Sequence, residues 1–443
     1  MSSTLTELAP EPTPEVVHHP GPSSVRWIIL ALLFAASVVA YVLRTNMSVA
    51  GEAMSRDVGL SQLQLGLVLA AFAWGYAIFQ FPGGVLGDRL GGRRSLTLIA
   101  IAWGVLNLLV GLTPKAASPS VILAALISLR FLMGVAQAPV YPVTSGGTTC
   151  NWFPIGGWAL PNGLSNAGLA FGSAATGPLI AWLTETMGWR QSFVVTAPLA
   201  FLLAAIWWWY VRDYPAEHSG VRRDELALIN AKRPPHYRTA PEPGAWRRVL
   251  RNRDVLLLTA SYFCSNYVFY IFFNWLFIYL VENRGFQSLQ SGYLAAAPWI
   301  AGAVGAVAGG IGCDWLCRRI GFRWGCRWPS VVGLLLAAGL IVLAATAKHP
   351  YLAVLFLSLC LCFQQATEGA FWAATIAVSG GQASAACGVL NTGGNVVGGV
   401  GALLVPVIVR SLGWPAALST ASVFAVVAAA LWMWIRADRQ LGD

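Results

Sequence analysis

The sequence predicts an all-α membrane protein of twelve transmembrane helices, arranged as two six-helix repeats with both termini cytoplasmic. Three observations carry that prediction. Of the 443 residues, 57% are hydrophobic and only 10% charged, against about 25% charged in soluble domains. The apolar residues fall in long continuous runs, not in the alternation of a membrane-spanning β-strand. The first half of the chain also recurs in the second half at a nearly constant offset.

The spans follow in order. A spanning helix takes about 20 apolar residues. Runs of that kind lie at 26–50, 62–86, 96–113, 120–142, 158–184 and 192–211, then at 255–281, 290–312, 328–347, 351–378, 385–409 and 414–436. Residues 1–25 are polar and Pro-rich (ELAPEPTPEVVHHPGPSS) and show no cleavable leader. They are expected to form a disordered cytoplasmic tail, with the pair His18 and His19 as part of its composition. The longest polar interior stretch, 212–253, holds ten of the 28 Lys and Arg residues and several prolines. It reads as a cytoplasmic linker between an N-terminal bundle (26–211) and a C-terminal bundle (254–436), with a short tail at 437–443.

The formal net charge of +10 is explained by orientation and does not call for a nucleic-acid partner. With both termini inside, 20 Lys and Arg residues fall on the cytoplasmic side and six outside, and Arg44 and Arg130 lie within spans. That bias satisfies the positive-inside rule. The repeat is direct. GGVLGDRLGGRR (83–94) meets GGIGCDWLCRRIG (309–321), so that Gly84 and Asp88 recur as Gly310 and Asp314. Gly163, Asn166, Gly168, Gly188 and Trp189 recur as Gly388, Asn391, Gly393, Gly413 and Trp414. Parallel six-helix repeats with a binding site between them are a transporter architecture.

These residues also carry a family resemblance. GGVLGDRLGGRR resembles the loop 2–3 signature of the major facilitator superfamily. The resemblance implies a cytoplasmic latch between the halves, made by Asp88, Arg89, Arg93 and Arg94 and by Asp314, Arg318 and Arg319. A narrower resemblance rests on YVLRTNMSVA in the first span, RFLMGVAQAPVYP and WFP in the fourth, NYVFYIFFNW in the seventh, and FWA with GVLNTGGNVVGG in the tenth and eleventh. Together these resemble the anion:cation symporter family, which includes bacterial sugar-acid transporters and animal sialin and vesicular glutamate transporters. The resemblance implies an organic-anion substrate, a coupling proton or sodium ion, and a monomer; composition places the chain in the lipid bilayer, and the short loops point to a bacterial inner membrane.

Three charged residues fall well inside spans: Arg44, Arg130 and Glu368. Each costs about 2.5–3.5 kcal/mol at a helix centre, so each is a functional candidate. Arg44 shares a helix face with Tyr41, and a guanidinium in a dry cavity can hold a carboxylate bidentately. The resemblance places the substrate-binding arginine at Arg44, with a structural pairing as the alternative. It assigns Arg130, with Gln137 on the same face, to gating or anion attraction. The bacterial sugar-acid members of the resembling family usually carry an Asp before the first-span arginine and a Glu in the fourth span, and the vesicular glutamate transporters keep only the Glu; this chain has Leu43 and Gln137 there. Glu368, the one acidic residue inside any span, is therefore expected to carry the coupling proton. The competing reading is a fixed salt bridge to Arg44 or Arg130.

Polar side chains at helical spacing complete the expected binding set: Tyr76, Asn166, Asn266, Tyr270, Asn274, Asn391, Thr392 and Asn395. Amides and phenols hydrogen-bond hydroxyls, although any of them can instead bond a neighbouring helix. Cys313, Cys317 and Cys326 lie close in sequence, but no His or fourth Cys joins them, so they read as reduced structural thiols and no metal is expected. The five histidines all lie in tails or loops, and no HExxH, P-loop or GxSxG pattern occurs. An enzyme and a cofactor are therefore not expected. The resulting expectation is import of a sugar acid or related carboxylate by alternating access, proton-coupled through Glu368. The alternative is an uncoupled facilitator or anion exchanger.

Overall fold

The computed structural model describes residues 24–114, 118–231, 244 and 246–438, and the side chains of all of these except 288–292. Most of the N-terminal tail, the Pro-rich stretch 232–243 and the chain end lie outside the described residues.

The helices are α1 (Val25–Val58), α2 (Gln62–Gly111), α3 (Pro119–Gln137), α4 (Val140–Pro142), α5 (Cys150–Trp152), α6 (Ala159–Met187), α7 (Trp189–Tyr210) and α8 (Arg223–Asn230). They continue as α9 (Trp246–Val249), α10 (Arg253–Glu282), α11 (Ser288–Ile320), α12 (Phe322–Thr346), α13 (Pro350–Ala366), α14 (Glu368–Val378) and α15 (Ala383–Trp432). A π-helical turn, Val143–Thr149, joins α4 to α5. Among the described residues, ten helical stretches are long and apolar enough to cross a membrane. Two of them, α2 and α15, run 50 residues each. At 1.5 Å per residue that is roughly 75 Å, more than twice the ~30 Å hydrocarbon core. Each is broken once, at Gly91 (φ 80°) and at Gly413 (φ 80°). These backbones lie in a region that only glycine enters cheaply, so the chain turns there.

Local chemistry marks the other boundaries. Ser61 and Gln64 form a reciprocal capping box at the start of α2, and the Asn252 side chain accepts from the Val255 amide at the start of α10. α1 runs past the expected end at residue 50 to Val58. Asp57 fastens that polar extension by accepting from Trp189 Nε1 at 2.9 Å and by pairing with Arg190. Helix α8 docks through Glu225, fully buried, whose carboxylate accepts from the Arg26 backbone amide at 3.3 Å.

Two groups of helices result. α1, α2, α3, α6 and α7 pack on one another, as do α10, α11, α12, α13 and α15. The groups meet mainly where α2 lies against α15 and α6 against α11 and α14. Large apolar side chains face outward all round, among them Trp74, Phe171, Trp182, Ile300 and Leu403. Water would not tolerate that surface, whereas lipid suits it.

The fourth and tenth expected spans are each interrupted midway. α3 ends at Gln137, and Pro139, with no amide to donate, precedes α4. α13 ends at Ala366, where the Thr367 hydroxyl donates back to the Gln364 carbonyl at 2.7 Å. Glu368 then opens α14. Both interruptions lie beside a cavity between the two groups, which Tyr141, Gln365 and Glu368 line.

Candidate functional site

That cavity has a volume of about 60 Å³. Its wall comes from both groups: Tyr41 and Arg44 of α1, Tyr76 of α2, Tyr141 of α4, Asn162 and Asn166 of α6, then Tyr262, Asn266, Phe269, Tyr270 and Phe273 of α10, and Gln365, Glu368, Trp372, Asn391 and Asn395 beyond.

Arg44 is held by aromatic faces. Its guanidinium carbon lies 5.1, 4.9 and 4.8 Å from the ring centroids of Tyr41, Phe72 and Tyr76. One terminal nitrogen donates to the Tyr41 hydroxyl at 3.2 Å. Cation–π contacts supply about 0.5–1 kcal/mol each at modest desolvation. Three of them roughly offset the insertion cost of the charge, but they do not neutralise it. Arg130 stands behind: it donates to the Arg44 carbonyl at 3.1 Å and lies 4.9 Å from the same Phe72 ring. Gln137 donates to the Ala40 carbonyl at 2.8 Å. Neither Arg130 nor Gln137 reaches the cavity wall; both brace the backbone of α1.

Glu368 faces the other side. Its carboxylate accepts from the Tyr262 hydroxyl at 2.9 Å and from Gln364 at 3.4 Å. Arg44, Arg130 and Glu368 form no ion pair among the described residues, whereas Arg26–Glu225, Arg56–Glu52, Arg190–Asp57 and Arg323–Asp438 do. The fixed salt bridge between Glu368 and Arg44 or Arg130 is therefore not formed. The cavity holds one guanidinium and one carboxylate that are not paired with each other.

Amides and phenols connect the wall. Tyr270 donates to Asn395 Oδ1 at 2.8 Å, Asn395 to Asn391 Oδ1 at 3.0 Å, and Asn391 to the Tyr76 hydroxyl at 3.5 Å. Asn166 donates to Gln365 across the two groups. Asn266 bonds back to the Tyr262 carbonyl at 3.0 Å while lining the cavity. Thr392 turns its hydroxyl onto the Gly388 carbonyl at 2.8 Å, and Asn274 sits off the wall. Tyr262 and Gln365, which also line the cavity, were not singled out by sequence. The hydrogen-bonded residue Gln364 went unnoticed with them.

The second repeated feature lies at the arginine-rich end. Asp88 accepts from the backbone amides of Ser384 and Ala385, both at 2.9 Å. Asp314 accepts from those of Ala159 and Leu160 at 2.9 and 3.0 Å. Each carboxylate thus caps the first turn of a helix in the opposite group, where amides are unpartnered and the helix dipole favours negative charge. Arg318 also crosses, donating to the Gly156 carbonyl at 3.4 Å. The remaining arginines stay on their own side. Arg93 bonds the Trp208 carbonyl and its amide bonds Asp213, Arg319 lies over the Trp315 ring, and Arg89 and Arg94 are exposed. Glycines let the helices touch near this end: a Cβ on Gly163 would stand 2.3 Å from the Ala306 carbonyl oxygen, and one on Gly388 2.8 Å from that of Gln80.

The model of the Major Facilitator Superfamily matches residues 32–322. The chain belongs to the major facilitator superfamily. It is 32% identical over 326 residues to the probable galactarate/D-glucarate transporter of Escherichia coli K12, covering 71% of this chain and 72% of that protein. It is 30% identical over 377 residues to the probable sulfoacetate transporter of Cupriavidus necator, covering 84% and 85%. Among solved structures, a proton:xylose symporter superposes with a TM-score of 0.73 over 93% of this chain and 96% of that one, at 14% identity. That likeness is one of fold. This superfamily member is thus a multi-pass integral membrane transporter, not an enzyme, and the resemblance read from its motifs is matched by its relatives.

Proposed function

We propose that this major facilitator protein imports an organic anion, a sugar acid or related carboxylate, by alternating access between the two groups of helices. The carrying observation is Arg44: a guanidinium at the cavity wall, held by three rings and paired with no acid. It offers a fork for a carboxylate, and the neighbouring amides and phenols offer partners for hydroxyls. The relatives named for galactarate, D-glucarate and sulfoacetate point to the same class of ligand.

In this reading Gly91 and Gly413 each separate two crossings, giving twelve spans, with both termini cytoplasmic and residues 212–253 as the linker between bundles 26–211 and 254–436. The Asp88 and Asp314 end is the cytoplasmic one, so the clasped state is closed to the inside. The transporter works as a monomer in a bacterial inner membrane. Coupling runs through Glu368, whose Tyr262 and Gln364 partners hold a carboxylate in a place that alternating access exposes. A proton is the ion expected there, and sodium its replacement if pH has no effect. Gln137 is committed to the Ala40 carbonyl and cannot carry a proton. That observation keeps an uncoupled facilitator or exchanger as the second reading.

Reconstituted protein tests both. Uptake of galactarate, D-glucarate and sulfoacetate into liposomes is expected to rise with an inward proton gradient. Glu368→Gln should retain counterflow while losing gradient-driven accumulation. If Glu368→Gln accumulates substrate as the wild type does, coupling lies elsewhere. If wild-type counterflow proceeds with no response to pH or sodium, the facilitator reading stands.

A further inference from the structure

The three cysteines that lie close in sequence also converge in space. Cys313 and Cys317 lie one turn apart near the end of α11, and Cys326 lies in the first turns of α12. Gly321, with φ at 85°, reverses the chain between them. Gly325 lets the two helices meet: a Cβ there would stand 2.4 Å from the Cys317 backbone. The three sulfurs are 3.6, 3.9 and 4.0 Å from one another. Metal–thiolate bonds of about 2.3 Å put sulfurs about 3.8 Å apart in a tetrahedron and about 4.0 Å apart in a trigonal plane. The spacing is that of ligands around one ion.

We propose that Cys313, Cys317 and Cys326 bind one thiophilic d10 cation of the copper(I) class in a three-thiolate site. Ligand type, ligand number and burial select that class. Sulfur donors favour soft ions. Among the described residues no fourth His, Cys, Asp or Glu joins the cluster, while structural zinc takes four ligands. Cys313 and Cys326 are fully buried and Cys317 is 8% exposed, so an ion enters at Cys317 and loses its water. A weakly hydrated monovalent ion tolerates that better than a divalent one. Binding releases three thiol protons and changes no oxidation state. Arg318 follows Cys317 directly, and Arg319, Arg323 and Arg327 lie in the same stretch of sequence, so the segment carries positive charge opposite in sign to the thiolates. The site would staple α11 to α12 beside Asp314 and Arg318, the residues that reach across to the start of α6 and to Gly156 before it.

The test uses the full-length protein, reduced and anaerobic, titrated with copper(I) against a colorimetric copper(I) chelator. One copper per chain is expected, with three sulfur neighbours at about 2.3 Å by X-ray absorption. Cys326→Ser and, separately, Cys317→Ser should weaken binding at least about 100-fold, the upper end of what losing even an outer-shell partner costs. Cys362→Ser, on α13, should leave binding unchanged. Cys317 is the most exposed of the three, so its variant keeps the test alive if Cys326→Ser does not fold. Unchanged affinity in a folded variant overturns the proposal. So does zinc held in preference to copper(I), or fewer than eight free thiols in the metal-free protein, which would mean a disulfide.

Discussion

The clasped end of the molecule and the cavity come from the same duplicated sequence, yet they have kept different parts of it. At the clasped end the duplication is reciprocal. Asp88 caps the helix at Ser384 and Ala385, and Asp314 caps its counterpart at Ala159 and Leu160. Gly163 meets Ala306 as Gly388 meets Gln80. At the cavity the halves diverge: α1 contributes Arg44 with its ring of aromatics, whereas α14 contributes Glu368 with Tyr262. In the proposed alternating-access cycle, symmetric contacts would let one end open and close with matched geometry, and asymmetric charges would orient a bound anion.

The largest effect should come from breaking the asymmetric side. Arg44→Ala is expected to lower organic-anion uptake by at least about 100-fold, since two charge-assisted hydrogen bonds to a carboxylate are each worth about 1.5–3 kcal/mol. Arg44→Lys keeps the charge but loses the planar fork, and should fall between wild type and alanine. Equal uptake by all three would place the anion elsewhere in the cavity.

The symmetric side makes a different demand. Asp88→Asn and Asp314→Asn each set an amide N–H₂ against a backbone donor, and each should cost about 1–3 kcal/mol of stability. The two losses should match, because the two contacts do. Melting temperatures of the purified variants would check this, and a silent Asp314→Asn beside a damaging Asp88→Asn would break the reciprocity. A smaller effect belongs to Tyr262→Phe. It removes one of the two hydrogen bonds to Glu368 and leaves the ring in place, so uptake should drop only about fivefold. A loss as large as that of Glu368→Gln would make Tyr262 an equal partner in coupling.

Much of this was legible in the sequence because charge and glycine stand out against apolar runs. Arg44 and Glu368 were visible as isolated charges, and Asp88 and Asp314 through their shared glycine spacing. The uncharged wall was harder. Tyr262 lies four residues before Asn266, so extending the series Asn266, Tyr270, Asn274 backward would have found it. Extending it forward misleads. A four-residue step overshoots one helical turn by about 40°, and by Asn274 the series has rotated away from a cavity it lines at Tyr262, Asn266 and Tyr270. Gln364 and Gln365 read as ordinary helix residues until the break at Thr367 turns α14 inward. The convergence of three thiols depended on a reversal at Gly321 that spacing alone does not reveal.

The proposed anion site at Arg44 is tested most directly by binding, without the steps that uptake adds. Purified wild type and Arg44→Ala would be melted in the presence of galactarate, D-glucarate, sulfoacetate and matched neutral sugars. A ligand that binds only the folded protein raises its melting temperature, and about 2.7 kcal/mol is gained at a hundredfold excess over Kd. Stabilisation of the wild type by one or more of the acids, by none of the neutral sugars, and its loss in a folded Arg44→Ala is the predicted result. Equal stabilisation of both proteins, or stabilisation by the neutral sugars alone, would contradict it.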